Sequence, residues 1–186
     1  SAYPDDPDSL SSIEITLFAV LLLVAGNETT TNLIGNGAAA LAAHPDQAGL
    51  LADRPDLLPA AVEEILRWDA PVQGLFRSTT RATTLAGVDI PAGAMILASF
   101  AAANRDSRHF PDADRFDITR RPGDHLAFGH GIHYCLGASL ARLEARLVGE
   151  TLAARGSHLK PAPGARRVDS MILRGFVSYP VAVAAG

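Results

Sequence analysis

Phe128-Gly129-His130-Gly131-Ile132-His133-Tyr134-Cys135-Leu136-Gly137 is the stretch on which the reading of this chain turns. Gly129, Gly131 and Gly137 permit a tight loop and the close approach of a flat ligand, because no Cβ intrudes. The loop delivers Cys135 at the start of a helix, with Leu140, Leu143, Leu147 and Val148 at helical spacing from Leu136 onward and Gly156 as its stop. Helix N-termini stabilise thiolates through the dipole and the free N–H groups. Cys135 is the only cysteine in the sequence, so neither a disulfide framework nor a zinc ribbon can use it. It is a buried filler, a reactive thiol or a ligand. A lone cysteine in a Gly-rich turn is most often filler, but ten residues of mutually consistent pattern favour the ligand.

The 186 residues are 48% hydrophobic, with 16 Lys+Arg against 20 Asp+Glu and a net charge of −4. That composition excludes a disordered polymer, and the absence of a dense basic run argues against a nucleic-acid surface. A small substrate or a protein partner is expected. Residues 15–27, between Glu14 and Glu28, form the longest strongly apolar stretch, short of the ~20 residues that cross a bilayer, so the reading is a core helix and no membrane span. No signal-peptide pattern opens the chain, and Ser1 reads as a cut end; the localisation expected is cytoplasmic.

After a polar start at residues 3–8, Ser9, Ser11 or Ser12 can cap a long helix that runs to about His44, where Pro45 stops it. Being apolar almost all round, it is expected to be central to a core. Gly26, Asn27, Glu28 and Thr29-Thr30-Thr31 do not suit simple core filling, because a buried carboxylate is costly without a partner or a purpose. A second helix over 58–70 starts at Pro59 and carries Glu64 and Arg67 three apart on one face. Residues 85–90 and 94–97 read as strands of a small sheet around a Pro91-Ala92-Gly93 turn. A long irregular stretch, 104–131, is expected to be ordered by Phe110, Phe116 and Phe128. The tail, 171–183, reads as a last strand pair interrupted by Pro180.

The decapeptide resembles the haem-binding signature of the cytochrome P-450 family, Phe-Gly-x-Gly-x-His/Arg-x-Cys-x-Gly. Two further motifs resemble the family's in the right order: Ala25-Gly26-Asn27-Glu28-Thr29-Thr30 its oxygen-activation segment, and Glu64-Ile65-Leu66-Arg67 its Glu-x-x-Arg motif. The resemblance implies a mainly α chain with small β-sheets (α+β), the C-terminal portion of the cytochrome P-450 fold from the long central helix (1–45) through the Glu-x-x-Arg helix (58–70) to the thiolate loop and its helix (128–156). A family member is roughly twice as long, which leaves the N-terminal half absent.

The resemblance also implies roles. Cys135 becomes the axial ligand of haem b (iron protoporphyrin IX), where a thiolate pushes electron density toward O–O cleavage. Phe128, Gly129, Gly131 and Gly137 shape the haem loop. Arg77, His125 and His133 become partners of the haem propionates, the Arg fork being suited to a carboxylate. Glu28 and Thr29 become the proton-delivery pair, although a helix-interior Thr more commonly bonds a carbonyl one turn back. Arg115 is implied as the cation that joins Glu64 and Arg67. Ala25, Gly26, Val72, Leu75 and Ile172 match segments that line the substrate pocket.

The function implied is a bacterial, soluble haem-thiolate monooxygenase that oxidises an apolar small organic molecule with O2 and electrons from a ferredoxin-type or other redox partner. Two alternatives stand beside it: a truncated haem-binding or interaction domain without turnover, and a Cys/His hydrolase with Cys135 as nucleophile and His130 or His133 as base. Because the first helix would expose a large apolar patch without the absent half, the isolated chain is expected to form a homo-oligomer or exchange domains.

Overall fold

The structure is a computed structural model and describes residues 9–154 and 157–185; residues 3–8 and Gly156 lie outside the described residues. Helix α1 (Ser12–Ala43) opens on a capping box. Ser11 Oγ accepts from the Glu14 N–H at 3.3 Å, and the Ser11 N–H donates to Glu14 Oε2 at 2.8 Å, which satisfies two donors left over at the helix start. Pro45 ends α1 and at once starts α2 (Pro45–Asp53), an element absent from the sequence reading, because a proline that cannot continue one helix is well placed in the first turn of the next. Helix α3 (Leu58–Trp68) stops two residues short of the expected 70. Asp69 has left helical geometry (φ −141°, ψ 59°), and Pro71 disfavours helix at Ala70.

The α1 helix is central to the core over only its second half. Asn32, Leu33, Asn36, Gly37 and Ala40 are buried, and Leu33 and Ala40 pack with Ala61, Val62, Ile65 and Leu66 of α3 and with Phe116, Ile118 and Ala127 of the irregular stretch. Ile13, Ile15, Leu17, Phe18 and 20–24 are exposed. The expected place at the centre of a core is thus held by the second half alone, and the first half exposes an apolar patch of the kind expected for the isolated chain. By length and composition alone α1 could cross a bilayer, since an 18-residue window that tolerates a charge has mean hydropathy 1.4, longer than the uncharged run 15–27; core helices of soluble proteins pass the same test.

Strands β1 (Gly74–Ser78), β2 (Thr83–Leu85), β3 (Val88–Ile90) and β4 (Met95–Ser99) form two antiparallel pairs, β1 with β4 and β2 with β3. The two stretches expected to share a sheet are therefore split, and β1 supplies the partner that the sequence reading lacked. A short α4 (Phe100–Asn104) leads into the irregular stretch, whose Phe110 and Phe116 are buried. Helix α5 (Ala138–Ala154) follows the cysteine loop. Of the last strands, β5 (Ser157–Pro161) pairs with β8 (Val181–Ala185), and β6 (Arg166–Arg167) with β7 (Phe176–Ser178). The tail is thus not one strand pair. Pro180 has no N–H to give to a ladder, and its carbonyl accepts from Ala162, so β7 and β8 part company there.

A polar knot fastens α1 to the end of α3 and to the closing strands. Asn36 Nδ2 donates to the carbonyls of Asp69 and Arg174, both at 2.9 Å, and Arg167 Nη1 donates to Asn36 Oδ1 at 2.9 Å. The Asp69 carboxylate receives Arg167 and Arg174. Beside the knot, a Cβ on Gly175 would lie 1.9 Å from Asn32 Oδ1 and 2.1 Å from its Cγ. Gly175→Ala is expected to cost about 1–3 kcal/mol through overpacking, read as a drop of several degrees in Tm; an unchanged melt would show that Asn32 can move aside.

Candidate functional site

Two neighbouring carboxylates on α3, Glu63 and Glu64, collect different sets of partners. Glu64 and Arg67 are wholly buried and meet bidentately, Nε to Oε2 at 2.7 Å and Nη2 to Oε1 at 2.8 Å. Arg67 Nη1 donates to the Asn104 and Ala113 carbonyls, both at 2.8 Å, and Nη2 to the Arg115 carbonyl at 3.2 Å. All five guanidinium donors are used, which is what makes an arginine tolerable in a core. Glu64 Oε1 also accepts the Asp117 N–H at 2.9 Å. The second cation on Glu64 is Arg120, with Nε 3.4 Å from Oε2. Arg115 offers this pair only its backbone carbonyl, and its side chain is 65% exposed beside Asp117, which corrects the pairing expected for it. The chain turns between the two arginines, so the later one faces the core.

Glu63, one residue earlier, faces the other way. Arg142 of α5 grips it with Nε to Oε1 at 2.6 Å and Nη2 to Oε2 at 2.9 Å, and His125 Nε2 lies 3.0 Å from Oε2. His125 Nδ1 accepts the Ala127 N–H at 3.2 Å, so Nε2 carries the proton given to Glu63. With its side chain 2% exposed and both ring nitrogens engaged, His125 is a satisfied core histidine and is not free to meet a propionate. That corrects its expected role. Burial alone would raise the Glu63 carboxyl, but the hydrogen bonds from His125 and Arg142, with the charge of Arg142, outweigh it and hold the group at about 2.

A carboxyl depressed on folding stabilises fully above its ordinary value of about 4.5 and loses that contribution as the pH falls toward about 2. Acid titration followed by near-UV circular dichroism is therefore expected to release Tyr134 and its surroundings between these values in the native chain, and at a higher pH in Glu63→Asp; coincident curves would argue against the linkage.

The loop itself is held from inside. Phe128 accepts the Cys135 N–H at 2.9 Å, Gly129 and Gly131 take φ of +72° and +70°, and Gly131–His133 form a single 3-10 turn. Those angles need glycine. Cys135 is exposed, three residues before α5, with Ile132 97% and Leu136 82% exposed beside it. Gly137 is in ordinary contact, its Cβ position 4.0 Å from the thiol sulfur. His133 is exposed in the loop. Arg77 is exposed on β1 and spends one donor on the Phe76 carbonyl at 2.9 Å.

On α1, Glu28 is exposed, correcting its reading as a buried carboxylate, and Thr29 Oγ1 donates to the Ala25 carbonyl at 2.7 Å. Nothing lies within 4 Å of a Cβ on Gly26. Val72 bridges to Leu173 and the Gln73 N–H donates to the Ile172 carbonyl at 2.8 Å, so these two candidate pocket segments adjoin, while Leu75 is exposed on β1. Sequence reasoning passed over Glu63, Arg142, Arg120 and Asn36. Only Glu63 carried a local signal, the doubled Glu of Glu63-Glu64.

The family model described as Cytochrome P450 matches residues 51–173. A vitamin D(3) 25-hydroxylase of Pseudonocardia autotrophica is 50% identical over 181 residues, covering 95% of this chain and 45% of that protein. The chain belongs to the cytochrome P-450 family. A mycinamicin IV hydroxylase/epoxidase of Micromonospora griseorubida is 45% identical over 182 residues, 95% of this chain and 46% of that protein. The solved structure of a cytochrome P-450 from Chondromyces apiculatus superposes with a TM-score of 0.92 at 42% identity, covering 97% of this chain and 47% of that one. The fold is a portion of the cytochrome P-450 fold, helices with small sheets, and the chain spans a little under half the length of the relatives it matches.

A cytochrome P-450 implies haem, and the residues present fit it. Among the described residues no three His, Cys, Asp or Glu side chains gather as a metal site. A single thiol would hold a bare ion poorly, but it suffices for an iron whose other ligands come with a porphyrin. The surroundings agree: an exposed thiol on a glycine-bent loop, with exposed Leu136, Leu140 and Leu143 along the start of α5, offers one sulfur and an apolar surface to a flat apolar ring.

Proposed function

We propose that this chain is the C-terminal half of a cytoplasmic haem-thiolate monooxygenase that oxidises an apolar small organic molecule with O2 and electrons from a ferredoxin-type or other redox partner. The observation that carries the proposal is the exposed Cys135 on its glycine-bent loop, in a chain of this family. The hydroxylase and epoxidase names of two relatives support oxidation of an organic substrate.

Bound at Cys135, haem would supply the iron at which O2 is activated. The chain's own residues do the rest. Gly129, Gly131 and Gly137 let the loop backbone approach the ring. His133 and Arg77, both exposed, present cationic or N–H donors to the propionates. Gly26 leaves space beside α1, and the Thr29 hydroxyl and Glu28 carboxylate, adjacent on that helix, hold and pass protons. Ala25, Val72, Leu75 and Ile172 give the substrate an apolar lining, and Leu136 and Leu140 shed water from the thiolate.

The test is reconstitution of the chain with haem, followed by reduction, CO and a record of the Soret band. A band at the thiolate-ligated position supports the proposal, and a free-haem spectrum overturns it.

The exposed apolar flank of α1 favours a second reading, in which the isolated chain binds haem without turnover. Residues 15–24 want a cover, which makes a homo-oligomer or an exchanged dimer the expected state in isolation. Light scattering that gave a sharp monomer would count against it. The hydrolase reading finds no support, since among the described residues neither His130 nor His133 is hydrogen-bonded to Cys135.

A further inference from the structure

The buried Glu64–Arg67 pair accounts for the core, but it does not explain why a second carboxylate beside it collects an arginine from α5 and a histidine from the irregular stretch. The answer lies in what Arg142 reaches next. Its Nη1 donates to the Tyr134 hydroxyl at 3.2 Å, and its guanidinium stands 4.5 Å over the Phe128 ring. Tyr134 directly precedes Cys135, and Phe128 is the residue whose carbonyl accepts the Cys135 N–H. Phe128 also packs against both Tyr134 and His125, with ring centroids 6.3 and 6.1 Å apart. Glu63 therefore holds Arg142 bidentately, and Arg142 touches both sides of the base of the cysteine loop, while His125 fixes the loop's upstream approach from the same carboxylate. The three charged or polar heads are partly shielded, Glu63 at 25% and Arg142 at 33% exposed, so the geometry is less diluted by water than a surface pair.

We propose that Glu63, acting through Arg142 and His125, is a positioning residue for Cys135, setting the orientation of the loop in which the thiol is presented to haem. The proposal rests on the haem-thiolate reading for its ligand, and on the geometry of this chain for its clamp. Residues that orient a metal ligand from behind typically change metal affinity about ten-fold when removed.

The whole chain is compared with Glu63→Gln, Arg142→Gln, Arg142→Lys and, as a control that breaks an exposed pair elsewhere, Asp56→Asn. Two readouts are taken on each: the alkylation rate of Cys135 by iodoacetamide in the haem-free chain, and the share of thiolate-type Soret band after reconstitution, reduction and CO. Glu63→Gln and Arg142→Gln are expected to change the alkylation rate and weaken haem retention about ten-fold, with much of the band moved off the thiolate position. Arg142→Lys is expected to fall between, because it keeps the charge but loses the fork, and Asp56→Asn is expected to match the native chain. Native rates and band share in Glu63→Gln overturn the proposal. A native chain without any thiolate band sinks the haem-thiolate reading instead, and the alkylation rates then decide the clamp alone. Should Glu63→Gln lose its helical circular dichroism, Tyr134→Phe and Arg142→Lys decide together, since the first removes the hydrogen bond from Arg142 to the loop and leaves its contact with Phe128, and the second removes the fork on Glu63: native alkylation and band share in both overturn the proposal, and a shift in either upholds it.

Discussion

Replacing Arg67 by alanine is expected to abolish the cooperative fold of this chain. The substitution leaves the Glu64 charge in a site with no exposed surface, supported only by the Asp117 N–H and by Arg120 at 3.4 Å. Breaking a buried ion pair from one side costs about 3–5 kcal/mol. The carbonyls of Asn104, Ala113 and Arg115 also lose their donor, at about 1–3 kcal/mol for each that water cannot reach. Against a total stability of about 5–15 kcal/mol, the sum leaves little or nothing. Arg67→Lys keeps the charge but cannot span two carboxylate oxygens and three carbonyls, so it is expected to fall in between. Arg54→Ala, which breaks an exposed pair with Asp56, is expected to leave the melt nearly unchanged. Thermal melts followed by far-UV circular dichroism measure all three. A cooperative melt of Arg67→Ala within about 2 °C of the native chain would contradict the argument.

Cys135→Ser is expected to do the reverse, sparing the fold and removing the ligand. The thiol is exposed and makes no hydrogen bond among the described residues, so the exchange of sulfur for oxygen is expected to change stability by no more than about 0.5 kcal/mol. A neutral hydroxyl in its place offers iron neither the charge nor the soft sulfur of a thiolate. After reconstitution, reduction and CO, the thiolate-type Soret band is expected to vanish altogether while the melt stays put. Persistence of that band in the serine variant would remove Cys135 from the site, because no other cysteine is present to replace it.

What the sequence disclosed follows the range of the interactions. The capping box at Ser11 and Glu14 spans three residues, the loop glycines act on their own φ angles, and the Glu64 and Arg67 spacing is one helical turn; local rules read all of them. The cysteine motif then supplied the family, and with it the class of fold. Long-range choices were not legible. Whether Arg115 or Arg120 meets Glu64 depends on how a stretch without periodicity folds back across 56 residues, and both arginines look alike in sequence. His125 loses its expected role to a carboxylate 62 residues away. The pairing of β7 with β6, and of β8 with β5, likewise depends on partners brought from earlier in the chain, not on the propensity of the strands themselves. The exposed half of α1 is a different case: apolar composition marks a surface that favours burial, and among the described residues nothing covers it.

The knot at Asn36 bears on the time course of folding. Its amide reaches the Arg174 carbonyl across 138 positions, and Arg167 returns to the same side chain across 131. A ribosome releasing the chain from its first residue onward has built α1, α3 and the cysteine loop well before either arginine emerges. The knot therefore closes late, and until then the end of α3 and the second half of α1 are held by apolar contacts and by the single hydrogen bond from Asn36 to the Asp69 carbonyl. Closing so large a loop is slow, and collapsed species with unfastened ends are those that stick to one another. Stickiness of the nascent chain thus has its root in the lateness of two arginines.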